Sequence, residues 1–115
     1  MDKTRRGAEA EQRAAAHLQA RGLRLLARNW RCRFGEIDLI LQEGATLVFV
    51  EVRERRGPGF GGAAESITAA KRARLARTAE AYLAQTGHRG PCRFDAILIE
   101  GERLTWLRDA FGAGG

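Results

Sequence analysis

The residues from Gly35 to Arg53, GEIDLILQEGATLVFVEVR, limit what this chain can fold into more than any other stretch. Ile37, Leu39 and Leu41 alternate with Glu36, Asp38 and Ile40, and Val48, Val50 and Val52 alternate with Leu47, Phe49, Glu51 and Arg53. That period of two is the signature of β-strands, so the segment predicts a hairpin. The link between its arms sets the register. An even loop, either the two residues Glu43-Gly44 or the four from Glu43 to Thr46, places Asp38 and Glu51 on one sheet face, whereas an odd loop separates them. Burial selects the even loop, because only that register lets Ile37, Leu39 and Leu41 share an apolar face with Val48, Val50 and Val52. Two carboxylates are thereby forced together although like charges on adjacent strands repel. A divalent cation between them would resolve the conflict.

The rest of the chain must provide a single modest core around this hairpin. At 115 residues, with 44% hydrophobic and 30% charged residues, the composition fits one globular domain spanning 1–115, with ends fraying at about 1–3 and 112–115. No apolar run approaches the ~20 residues of a membrane span, and the polar N-terminus does not read as a leader, so the expected location is the cytoplasm and no membrane partner is expected. Cys32 and Cys92 stand far apart without a CxxC partner, and His17 and His88 stand alone, which argues against a disulfide framework or a zinc site. A net charge of +6 suggests an anionic partner, nucleic acid being the commonest, although many basic proteins carry only a solvated positive surface.

In chain order, Thr4 to Arg21 lacks proline, places Ala10, Ala14 and Leu18 at helical spacing and ends before Gly22, which predicts a helix. Glu11 lies beside that stripe, either facing the hairpin or, as is more usual, solvated. Leu23 to Arg33 predicts a strand running into the hairpin. Arg56 to Gly62, with four glycines and a proline in seven residues, predicts a mobile loop after the charged end of the second arm. Thr68 predicts the N-cap of a second helix to about Gln85, with Leu75, Ala79, Tyr82 and Leu83 buried. Lys71, Arg72, Arg74 and Arg77 crowd its first half without an intervening acid, so this face is either a phosphate-binding surface or an ordinary solvated one. Cys92 to Glu100 predicts a central strand, parallel to a neighbour through a crossover, and Gly101-Glu102 a tight turn into Arg103 to Leu107.

An aspartate on one hairpin arm and Glu-x-basic on the next suit metal-assisted phosphodiester hydrolysis. Mg²⁺ prefers carboxylate oxygens, here Asp38 and Glu51, and a cation two residues beyond Glu51 emerges on the same strand face. Glu36 shares that parity, as a third ligand or, as is more usual, an arginine partner at a solvated strand end. Asp95, in an apolar strand, is expected to pair with an arginine, and Trp30, Phe94 and Trp106 to belong to the core rather than to stack on bases.

The chain closely resembles the bacterial YraN family, endonuclease-like proteins related to the restriction-endonuclease and Holliday-junction-resolvase superfamily with its PD-(D/E)xK signature. The resemblance is carried by Gly7 with Ala10-Glu11 and Ala14, by Arg28-Asn29-Trp30-Arg31, Gly35-Glu36-Ile37-Asp38-Leu39-Ile40, Phe49-Val50-Glu51-Val52-Arg53, Phe60-Gly61, Lys71 to Leu75 and Arg93-Phe94-Asp95. It implies an α/β fold with a restriction-endonuclease-like αβββαβ core, a mixed central sheet flanked by helices. It also implies that Asp38 and Glu51 hold Mg²⁺ or Mn²⁺ and that Glu11 joins them as a catalytic residue. The substrate would be DNA, branched or single-stranded, with Arg55, Lys71, Arg72, Arg74 and Arg77 on its backbone; a homodimer is compatible with the resemblance.

Two positions depart from the family pattern. Ala10 stands where glycine is usual, and Arg53 stands where a lysine usually follows Glu-Val. Arginine stays protonated and cannot act as a general base, so weak cleavage is expected and Arg53→Lys is expected to raise it. Lys71 is a candidate to replace the missing ammonium from helix two. The competing readings are a nucleic-acid-binding module without chemistry and an assembly protein with a basic interaction face.

Overall fold

Five strands form one sheet in the order β1-β2-β3-β4-β5, and a helix covers each face. The computed structural model describes residues 2–55 and 68–111. The elements are α1 (Asp2–Ala20), β1 (Arg24–Cys32), β2 (Gly35–Glu43), β3 (Thr46–Arg55), α2 (Ala69–Thr86), β4 (Cys92–Glu100) and β5 (Arg103–Leu107). All neighbouring strands are antiparallel except β3 and β4, which are parallel and joined by the α2 crossover. This is the expected mixed α/β sheet flanked by two helices, consistent with a restriction-endonuclease-like core. The glycine-rich stretch Arg56 to Gly62 lies outside the described residues, as do Met1 and 112–115. Among the described residues, no helix is long and apolar enough to cross a membrane.

The hairpin has the even register. Glu43 pairs with Thr46 and Leu39 with Val50, so the turn is the two residues Gly44-Ala45, one position later than the two-residue loop expected from sequence. Gly44 there adopts a left-handed φ of 59°, which glycine accepts without steric cost. The register is that of the four-residue alternative, tightened by one further pair.

Small residues on α1 let the helix lie close to the sheet. Ala10, Ala14, Ala15 and Leu18 pack on Leu39, Leu41, Val48, Val50, Ile97 and Ile99. On the opposite face Leu75 and Ala79 of α2 pack with Ile37, Ile40, Leu47 and Phe49, and Trp30, Tyr82 and Phe94 complete the cluster. Thr68 caps α2 by accepting from the Lys71 N–H at 3.1 Å. Trp30 and Phe94 are thus core, as expected, and Trp106 packs against the α1 side.

One expectation fails. Ile37 joins the α2-side cluster instead of sharing the α1 side with Leu39 and Leu41. The cause is a break in the pleat at Asp38: the β1–β2 register passes from Arg28↔Leu39 to Trp30↔Ile37, and the intervening Asn29 has a left-handed φ of 49°. The β2–β3 register ends at Leu39↔Val50. The strands therefore separate where the acids lie.

Candidate active site

That separation frees the Asp38 carboxylate to bond outside the strand ladder. Its Oδ2 accepts from the Val52 N–H at 2.8 Å, which fixes it against the neighbouring strand. Continuing the β2–β3 register by one step sets Asp38 opposite Glu51, near enough for each to act on the other's titration. Glu51 is only 5% exposed. Two cations converge on its Oε2: Lys71 Nζ at 2.9 Å and Arg53 Nη2 at 3.0 Å. Lys71 sits in the first turn of α2, so the crossover that makes β3 and β4 parallel also delivers an ammonium to β3.

The acids open into a cleft of ≈ 210 Å³ lined by Gly35, Glu36, Asp38, Glu51, Lys71, Arg74, Leu75 and Thr78. Gly35 brings the β2 backbone against α2; a Cβ added there would lie 3.1 Å from Thr78 Oγ1. Thr78 is fully buried and donates to the Arg74 carbonyl oxygen at 2.8 Å. Glu11 approaches from α1: its titration responds to Glu36, Asp38 and Glu51, and Asn29 Nδ2 donates to its Oε1 at 2.9 Å. Asn29 spans from the sheet to α1 from its left-handed backbone position, a conformation asparagine tolerates better than most residues.

Electrostatics follow from burial. Burial first, and the Glu51 charge second, push the Asp38 carboxyl up to about 8. Burial also raises Glu51, against the opposing pull of Arg53, and raises Glu11, with the Glu36 charge adding to the effect. Asp38 thus favours its neutral form at neutral pH. The folded carboxyl binds a proton that the unfolded chain releases near pH ~3.9, so its stabilising contribution is complete below that value and is lost as pH rises to about 8. In EDTA, the stability difference between the natural protein and Asp38→Asn should therefore shift in favour of the variant between pH 5 and pH 8, by up to ~1.4 kcal/mol per pH unit. Parallel pH profiles in urea denaturation would contradict this.

Among the described residues, no group of three or more His, Cys, Asp and Glu is arranged to hold a metal ion. The donors at hand are the facing pair Asp38 and Glu51, with Glu11 on α1 acting on Asp38. Mg²⁺ binds through one or two carboxylates and keeps several waters, so this oxygen-only pair has the donor chemistry of such an ion, which would displace the Asp38 proton.

The other residues expected from sequence spread out. Arg74 lines the cleft, whereas Arg72 and Arg77 are exposed on α2 outside its lining. Arg55 pairs with Glu100 of β4 at 3.1 Å. Glu36 lines the cleft and pairs with Arg31 at 3.3 Å. Sequence reasoning gave no site role to Asn29, Gly35 or Thr78; Asn29 and Gly35 lie in segments that carry the family resemblance, which was the available signal, and Thr78 carried none.

Comparison of the sequence with known proteins places the chain among relatives. The family model described as "Uncharacterised protein family UPF0102" matches residues 10–99. A UPF0102 protein of Nitrosomonas europaea is 61% identical over 111 residues, covering 92% of each chain. One from Cupriavidus taiwanensis is 55% identical, covering 94% of this chain and 83% of its own, and one from Halorhodospira halophila is 53% identical, covering 96% and 89%.

Proposed function

This chain belongs to the uncharacterised protein family UPF0102, and we propose that it is a divalent-cation-dependent nuclease acting on DNA. The observation that carries this reading is the buried Glu51, one register step opposite Asp38 and met on one oxygen by both Lys71 and Arg53. Asp38 and Glu51 would hold Mg²⁺ or Mn²⁺, which supplies charge neutralisation at a scissile phosphate and an activated water. Glu11, tethered by Asn29, would join the acids from α1, its charge acting on Asp38. Lys71 replaces the lysine absent from β3: its ammonium has three donors with which to orient a water and to meet charge developing on a phosphoryl oxygen. Arg53 contributes fixed positive charge and cannot accept a proton. Arg74 at the cleft, with Arg72, Arg77 and Arg55 beyond it, supplies backbone contacts that favour a polyanion without reading its sequence.

A second reading, a nucleic-acid-binding module without chemistry, is favoured by the same two cations, because they already balance Glu51 without a metal. Incubation with labelled single-stranded, duplex and four-way DNA in Mg²⁺, Mn²⁺ or EDTA separates the two. Cation-dependent cleavage is expected; salt-sensitive binding with no cleavage in either cation would establish the module instead.

A further inference from the structure

The turn between β1 and β2 carries an aromatic side chain that the core does not use. Cys32 pairs with Gly35, leaving Arg33 and Phe34 as the two turn residues. Phe34 is 37% exposed, and among the described residues only Leu26 is a comparably exposed large apolar side chain. Its N–H donates to Cys32 Sγ at 3.4 Å, which fixes the turn, and the Arg33 guanidinium carbon lies 4.9 Å from the ring centroid. The next two residues, Gly35 and Glu36, line the cleft that holds Asp38 and Glu51. A solvent-exposed aromatic ring with a cation over it thus directly precedes, in the chain, two residues of a cleft that also presents Lys71 and Arg74.

We propose that Phe34 and Arg33 form a stacking platform for an unpaired base, so that the nucleic acid engaged at this cleft is single-stranded DNA. The proposal rests on the nuclease reading and specifies its substrate. Aromatic rings accept the π-face of any base, and that face is available in a single strand but already stacked in a duplex. Neighbouring phosphates would then meet the arginines that flank the platform, Arg31 on β1 and Arg74 on α2.

The test is fluorescence anisotropy of the full chain in EDTA, with a labelled oligo(dT) single strand and a mixed-sequence duplex of equal length, over a range of salt concentrations. Phe34→Ala is expected to weaken single-strand binding roughly 5- to 150-fold, leaving duplex binding and the salt slope unchanged, while Phe34→Trp restores affinity. Arg74→Ala, which removes a phosphate contact, should instead flatten the single-strand slope by about 0.7. Unchanged single-strand affinity in Phe34→Ala, or an equal loss on duplex, overturns the platform and leaves the nuclease reading standing. Failure of the natural protein to bind either DNA overturns both.

Discussion

Lys71→Ala is expected to lower cation-dependent DNA cleavage by about 10²- to 10³-fold, the usual effect of removing one preorganised contact to developing charge. The expectation follows from where the ammonium sits. Lys71 Nζ is 2.9 Å from a carboxylate oxygen of Glu51, inside the cleft, whereas Arg72, one residue further along α2, is exposed outside its lining. The loss should therefore fall on kcat for Lys71→Ala and on KM for Arg72→Ala. Arg53 remains on Glu51 at 3.0 Å in the Lys71 variant, so the buried carboxylate keeps one partner and the fold should survive. Arg53→Lys should have the smaller effect, a gain of about tenfold or less, corresponding to ~1.4 kcal/mol of barrier. An unaltered kcat in Lys71→Ala would remove the ammonium from the mechanism.

Asp95→Ala is expected to cost ~3–5 kcal/mol of stability, because it strips the shared acceptor from Arg93 Nε, Trp106 Nε1 and the Asp109 N–H, although Arg93 keeps Glu43. Asp95 is fully buried, yet each oxygen is occupied: Arg93 Nε donates to both at 3.0 and 3.2 Å, Trp106 Nε1 to one at 2.9 Å and the Asp109 N–H to the other at 2.8 Å. Arg93 also reaches Glu43 at 2.8 Å, and Arg108 reaches the same oxygen at 2.7 Å while its guanidinium lies over Trp106. The network ties β4 to the end of β5 and to the hairpin turn, and none of its members lines the cleft. Urea denaturation should show the loss as a lower midpoint with a similar slope, and the folded Asp95→Asn protein should cleave DNA at the natural rate. A destabilisation below about 1 kcal/mol, or loss of cleavage without loss of stability, would reverse this assignment.

The hairpin alternation made the register legible, because burial of Leu39, Leu41, Val48 and Val50 admits only pairings that bring Asp38 and Glu51 together. Asp95 was legible as an arginine partner because a charge in an apolar strand needs one. Ile37 was not legible, since strict alternation presumes a continuous ladder and the ladder breaks beside Asn29. Lys71 and Glu51 are separated by the crossover, so only the packing of Leu75 and Ala79 on Ile37, Ile40, Leu47 and Phe49 fixes their distance. Glu11 reads as a solvated helix carboxylate until Asn29 is seen holding it toward Asp38.

The claim that Asp38 and Glu51 form a hydrolytic cation site is tested most directly by initial rates on a labelled single strand in Mg²⁺, comparing the natural protein with Glu51→Ala prepared identically. Slow cleavage by the natural protein, abolished by EDTA and by Glu51→Ala, is the expected result. Equal rates in the two proteins, or no cleavage by the natural protein in Mg²⁺ or Mn²⁺, would contradict it.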